Sequence, residues 1–237
     1  GGTLVANLIS RKIKKQIDSG EARVTVVDEK GEHVYQPGFM YIAMGNEDPK
    51  SLRKPERRLL DDRVELVIGE VTAIDAESRK VSIADGTELD YDHLILATGS
   101  RILPESIEHF EEEAHHFYSE EAAGRLRKAL DEFTGGKVVV GIASMPYKCP
   151  PAPLEVALLI ESELRERGLR EKSEVHFCSP IARAFTIESV SEMVTPELEK
   201  KDVELHTFFN VETIDAERKV VQSLEGEELE YDLLVLV

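Results

Sequence analysis

The sequence predicts an α/β fold built twice, and two observations carry that prediction: an internal repeat, and the same helix-then-strand opening in each half. Val71-Thr72-Ala73-Ile74-Asp75-Ala76-Glu77 recurs as Val211-Glu212-Thr213-Ile214-Asp215-Ala216-Glu217, and Glu88-Leu89-Asp90-Tyr91-Asp92 recurs as Glu228-Leu229-Glu230-Tyr231-Asp232. Both pairs are 140 residues apart. A helical pattern from Gly2 to Ile17 precedes Val24-Thr25-Val26-Val27-Asp28, and one from Pro153 to Arg167 precedes Val175-His176-Phe177-Cys178. Alternating helices and strands favour a parallel sheet with right-handed crossovers in each half.

In chain order, Gly1-Gly2-Thr3 leads into Leu4, Val5, Leu8, Ile9, Ile13 and Ile17 at helical spacing. Val24–Asp28 then reads as a strand, and Val64 to Ile74, Lys80 to Ile83 and Tyr91 to Ala97 read as three more. In the second half the apolar run Val138–Ala143 is followed by a helix carrying Leu154, Ala157, Leu158, Ile160 and Leu164, by Val175–Cys178, and by the matching three-strand segment. The expected architecture is α/β: two Rossmann-like dinucleotide-binding lobes, residues 1–104 and 105–237, with parallel sheets and β-meander insertions. A glycine turn without its leading strand, and an apolar run at Leu233–Val237, read as a fold truncated at both ends.

Composition limits the function classes. With 237 residues and 41% hydrophobic content the chain supports one large core or two smaller ones. A net charge of −18 argues against a nucleic-acid groove and against docking on anionic lipid. No run approaches the roughly 20 apolar residues of a membrane helix, so the chain as given reads as soluble. Two cysteines are too few for a disulfide scaffold, and no cluster of His, Cys and carboxylates has metal-site spacing. No metal is expected.

Cys149 is the leading candidate for chemistry. It lies in Met145-Pro146-Tyr147-Lys148-Cys149-Pro150-Pro151-Ala152-Pro153, between an expected strand and an expected helix. A dinucleotide turn at this place is usually glycine-rich, yet only Gly141 is present and prolines follow the cysteine. A cysteine at or near a helix N-cap has its thiolate favoured by unpaired amides, which lowers such pKa values from about 8.5 to roughly 3.5–7.5. Lys148 adds a cation. The alternative is a small buried residue packing a tight turn. Cys178, inside a strand-like run, reads as core.

The first half carries a different set. Gly1 and Gly2 open a helix, and Asp28 ends the next strand 26 residues after Gly2, a separation at which an acidic residue can hold an adenosine ribose. Leu94-Ile95-Leu96-Ala97-Thr98-Gly99-Ser100 ends in small residues, where backbone can approach a ligand or simply turn.

Taken together, Gly1-Gly2-Thr3, Val26-Val27-Asp28, His33-Val34-Tyr35-Gln36-Pro37-Gly38, Tyr91-Asp92-His93-Leu94-Ile95-Leu96-Ala97-Thr98-Gly99 and Tyr147-Lys148-Cys149-Pro150-Pro151-Ala152-Pro153-Leu154-Glu155 resemble the sulfide:quinone oxidoreductase family. These flavoproteins are similar to the flavoprotein subunit of flavocytochrome c sulfide dehydrogenase and to type II NADH dehydrogenases. The Ala-Thr-Gly segment is shared across the whole group, whereas the cysteine segment points to the sulfide branch.

The resemblance implies FAD in the first lobe, with Gly1, Gly2, Asp28, Thr98 and Gly99 as binding residues and Gln36 and Pro37 beside the flavin. It implies no nicotinamide in the second lobe. Cys149 is then the redox cysteine that takes up sulfide-derived sulfur, and Glu155 holds charge or moves protons near it. His33, His115, His116 and His176 are further candidates for proton relay. Sulfide and a quinone are the implied partners, at the cytoplasmic side of a membrane, with a homo-oligomer compatible. Family members pair the central cysteine with one in a C-terminal part that also contacts the membrane, and some carry another where this chain has Tyr118 and Ser119. Alternatives within the same frame are an NADH dehydrogenase, a periplasmic sulfide dehydrogenase passing electrons to a cytochrome, and a flavin-binding domain without catalysis.

Overall fold

A computed structural model describes residues 1–237. The chain forms two units: Gly1–Tyr35 with Lys50–Arg101, and Gln36–Pro49 with Ile102–Val237. The division departs from the expected 1–104 and 105–237 chiefly in one segment. Phe39, Met40, Ile42 and Ala43 are buried, and Arg127 Nη1 donates to the Ala43 carbonyl at 3.4 Å. This apolar stretch is therefore held in the second unit's core.

In the first unit α1 (Gly2–Lys12) and α2 (Lys14–Asp18) replace the single expected helix. Ile13 leaves helical geometry at φ −104°, ψ 27°, which breaks the run. The strands β1 (Val24–Asp28) and β4 (Val64–Ile68) pair in parallel, and α1 packs on them through Ala6, against Leu60 and Val64. An antiparallel pair, β2 (Glu32–Val34) with β3 (Arg53–Pro55), lies between them in sequence. The meander follows as β5 (Val71–Asp75), β6 (Lys80–Ile83) and β7 (Glu88–Asp90). Val64 to Ile74 was expected as one strand but is two, because β4 pairs with β1 and β5 with β6, in separate sheets.

The second unit holds α3 (Phe39–Ala43), α4 (Phe110–Glu113), β8 (Ala114–His115), α5 (Glu120–Glu132), β9 (Gly136–Gly141) and α6 (Ala152–Glu166). After these come β10 (Ser173–Cys178), α7 (Glu188–Lys200), β11 (Val203–His206), β12 (Val211–Asp215), β13 (Val220–Ser223), β14 (Glu228–Glu230) and β15 (Leu233–Leu236). Five strands form a sheet in the order β11-β10-β9-β15-β8, and every pairing in it is parallel. Val138, Val139 and Val140 of the central strand are fully buried, as a parallel strand covered on both faces requires. Val139, Cys178 and Leu234 pack with Phe209, Ile214, Val221 and Tyr231 from the meander side. Helix α6 packs on β9 and β10 and buries Val156, Ala157, Ile160 and Leu164.

The sequence repeat is a structural repeat. All three meander strands recur with their ends shifted by 140 residues, and both copies break register at the same place, between Val71 and Ala73 and between Val211 and Thr213. Each turn is organised alike: Asp75 Oδ1 accepts from the amides of Glu77 and Ser78, and Asp215 Oδ1 from those of Glu217 and Arg218.

The copies part company after the meander. Leu233–Leu236 is a buried strand between β9 and β8. The segment 140 residues earlier, expected as a strand from Tyr91 to Ala97, pairs with nothing and leaves Ile95 and Leu96 exposed.

One buried carboxylate links three elements of the second unit. Glu161 on α6 has no exposed side-chain surface and meets Arg165 of its own helix, Arg170, and Lys201 Nζ at 2.9 Å. Burial acts to raise its pKa, but the bonds from Lys201 and Arg165 outweigh that and hold it below the ordinary carboxylate value. The folded state therefore gains stability above that value and loses it as pH falls through the lowered one. Glu161→Gln is expected to destabilise the protein by about 3 kcal/mol at neutral pH, with the deficit shrinking under acid, as measured by urea unfolding across a pH series.

Candidate active site

Ten residues, 142–151, connect β9 to α6, and Cys149 sits in that loop. It is exposed, and its backbone lies in the left-handed region at φ 52°, which costs a non-glycine residue roughly 1–2 kcal/mol. The expected N-cap position is taken by Pro151 instead, with Pro153 inside the first turn. Cys149 precedes the cap, and its carbonyl accepts the Ala152 amide at 2.9 Å.

Tyr118 anchors this loop. Its hydroxyl donates to the Lys148 carbonyl at 2.7 Å, and the Lys148 ammonium lies 5.3 Å from the Tyr118 ring centre, a cation–π contact. Burial, then the proximity of Cys149 and Tyr147, push the Tyr118 phenol up, so it stays a neutral donor. The Tyr118 amide in turn donates to His116 Nδ1 at 3.2 Å. Burial and the nearby Arg125 bring His116 down to about 4, which keeps it neutral at pH 7 and makes it a poor proton donor there. Ser119, the other residue at the place of the family's extra cysteine, caps α5 by accepting the Ala122 amide at 3.1 Å. Glu155 is exposed on the first turn of α6, six residues after Cys149.

Cys178 is fully buried on β10, and burial pushes its thiol far up, followed by the carboxylates of Glu227 and Glu204. A thiol held neutral in this way does not act as a nucleophile. The two cysteines therefore differ in access, Cys149 lying at the surface and Cys178 in the core.

The first unit gathers the other set. A Cβ built on Gly2 would lie 3.4 Å from the Cβ of Ala97, so the start of α1 and the Ala97-Thr98-Gly99 segment are in contact range. Gly99 takes φ 76°, a conformation suited to glycine. Helix α1 has no side-chain cap and no acidic residue in its first turn. Its amides are thus suited to an anion such as a diphosphate. Asp28 closes β1, and its Oδ1 accepts from the amides of Lys30 and Gly31 at 3.1 and 2.6 Å. Gln36 and Pro37 form an exposed single turn that belongs to the second unit.

Two groupings escaped the sequence reading. Buried Glu56 accepts from Thr3 Oγ1 at 2.6 Å and lies 3.2 Å from His33 Nδ1, which ties the glycine turn to β2. No spacing rule links residues 3, 33 and 56. The second is His176, Glu204 and His206 on adjacent strands of the second unit.

The fold and this site define a class: the chain belongs to the pyridine nucleotide-disulphide oxidoreductase family, whose model matches residues 10–237. Among its relatives is the mitochondrial sulfide:quinone oxidoreductase of Dictyostelium discoideum, 24% identical across all of this chain and 53% of that protein. The sulfide-quinone reductase of Aquifex aeolicus is 23% identical over 87% of this chain and 49% of its own length. The solved structure of sulfide:quinone oxidoreductase from Aquifex aeolicus superposes with a TM-score of 0.82 at 21% identity, covering all of this chain and 56% of that one. NDH2 of Plasmodium falciparum gives 0.66 at 16% identity over 92% of this chain and 50% of that one. The chain thus spans about half the length of the curated relatives it matches.

Exposure separates the two thiols. A thiol alkylating reagent on the native protein is expected to modify one cysteine and none in Cys149→Ser, with Cys178 reacting only in denaturant. Mass spectrometry of the labelled protein reads the count, and modification of Cys178 in the native state would contradict this assignment.

Proposed function

We propose that the chain is the two-lobed part of a flavin-dependent enzyme that oxidises sulfide to zero-valent sulfur or polysulfide and delivers the electrons to a quinone. The observation that carries this reading is the exposed Cys149 in the ten-residue, proline-containing loop between β9 and α6. A small anion such as hydrosulfide can reach such a thiol. A dinucleotide is disfavoured at the same place, because Pro150, Pro151 and Pro153 lack amide donors and the Ala152 and Glu155 amides already bond Cys149 and Pro151. The similarity to sulfide:quinone oxidoreductases supports the same choice.

In this reading Gly1, Gly2, Asp28, Thr98 and Gly99 hold FAD. The uncapped, carboxylate-free start of α1 suits its diphosphate. Asp28 uses Oδ1 for its own turn, so ribose binding falls to Oδ2. The resemblance to sulfide:quinone oxidoreductases adds Gln36 and Pro37 as candidates for flavin contact. When bound, the flavin supplies a two-electron acceptor that can pass electrons on to the quinone.

The chain's own residues do the rest. The Cys149 thiolate and hydrosulfide combine to a persulfide, Cys–S⁻ + HS⁻ → Cys–S–S⁻ + H⁺ + 2e⁻, and the quinone takes up the electron pair with two protons. Lys148, held over Tyr118, and the Tyr118 hydroxyl bonded to the Lys148 carbonyl keep the loop in place while sulfur is carried. Glu155 provides an exposed carboxylate for the released proton. A quinone acceptor places the enzyme peripherally on a membrane, and no helix of this chain is long and apolar enough to cross one.

The test is the visible absorption of the full-length protein under anaerobic conditions. Sulfide is expected to bleach a flavin spectrum, Cys149→Ser to retain the flavin but lose the bleaching, and Glu155→Gln to slow it by on the order of a hundredfold. Bleaching by NADH instead, or an unchanged sulfide response in Cys149→Ser, would overturn the reading.

A further inference from the structure

Strands β10 and β11 run in parallel with His176 opposite Glu204 and Cys178 opposite His206. Residues two apart on a strand share a face, so His176, Glu204 and His206 project from the same side of the sheet. His176 Nδ1 lies 3.0 Å from His206 Nε2. Glu204 closes the triangle, with Oε2 3.4 Å from His176 Nδ1 and Oε1 3.8 Å from His206 Nε2. We propose that His176, Glu204 and His206 form a binding site for a divalent transition-metal ion of the zinc class.

The distances suit such an ion. Ligands at about 2.0–2.1 Å in a tetrahedron stand roughly 3.3–3.4 Å apart; the two imidazole nitrogens are 3.0 Å apart, and one ligand atom from each of the three residues lies within 4.8 Å of the others. The chemistry suits it too, since two imidazoles with one carboxylate form a familiar zinc ligand set that leaves a fourth position for water.

The far side of each ring completes the case. His206 Nδ1 is 2.5 Å from Glu227 Oε1, and His176 Nε2 is 3.6 Å from Glu174 Oε2. Glu227 behind His206 can hold the proton on Nδ1 and leave Nε2 as a lone pair, the arrangement common behind metal-bound histidines. With that lone pair facing His176 Nδ1 at 3.0 Å, the gap takes either a proton or a cation. Both rings are nearly buried, so water competes poorly for that position. His176 also lines an open cleft with Lys137, Arg218, Glu228 and Glu230, which provides a route from solvent. An ion here would join β10, the edge strand β11 and, through Glu227, the turn between β13 and β14.

The site makes no use of the redox assignment, and its readout needs no turnover. Full-length protein purified without an affinity tag and stripped with chelator is titrated with Co²⁺. One ion per chain is expected, with the intense visible bands of a tetrahedral cobalt site, and Zn²⁺ should displace it. His176→Gln with His206→Gln is expected to abolish micromolar binding. Glu227→Gln, in an exposed turn that does not hold the core together, is expected to weaken it by about ten- to a hundredfold with an unchanged circular dichroism spectrum. The proposal is overturned if the protein takes up no stoichiometric Co²⁺, in which case a proton is shared between the rings. It is equally overturned if the folded double-histidine variant retains binding, or if Glu227→Gln leaves the affinity unchanged.

Discussion

The second unit depends on one strand, β9, being paired on both sides. It bonds β10 along one edge and β15 along the other, and its three valines have no solvent exposure. Both cysteines of this unit are located by that strand. The cysteine loop leaves from its end, the buried Cys178 lies in the strand beside it, and the meander returns the chain to its other edge. Asp232 fixes the return: its carboxylate accepts the Lys137 amide at 2.7 Å and its own amide donates to the Lys137 carbonyl at 2.8 Å. Gly136 is required at that point, because a Cβ there would stand 2.1 Å from the Asp232 carboxylate.

Duplication of a fold leaves the two copies free to diverge where pairing and packing do not constrain them. The meanders, whose strands hold each other, keep the same register break and the same aspartate-centred turns. The strand-to-helix connection of the second unit is under no such constraint: its ten residues are rich in proline, which removes amides and presents a thiol at the surface.

The electrostatics follow the same division between exposed and enclosed groups. A chain with a net charge of −18 keeps most of its carboxylates at the surface, where each contributes little. The enclosed ones act as ties: Glu161 joins α6 to Arg170 and Lys201, and Glu56 joins Thr3 to His33. Glu113 accepts from Lys219 and from the Tyr231 hydroxyl at 2.9 Å, which gives the repeated tyrosine a role its counterpart Tyr91, bonded only weakly to a backbone carbonyl at 3.4 Å, does not share.

Local patterns in the sequence determined much of this protein. The period of the apolar residues and the 140-residue repeat define the fold class and the meanders, and the strand–loop–helix context places Cys149 in a connecting loop, because each depends on residues near one another in the chain. Tertiary structure alone decided the rest. It placed residues 39–43 in the second unit's core and split Val64 to Ile74 between two sheets. It also brought His176, separated from Glu204 and His206 by a helix and a loop, into one cluster through the register of β10 and β11. Pairing partners and registers are relations between distant segments, so a strand's propensity indicates that it can pair, while only the folded chain supplies the neighbour.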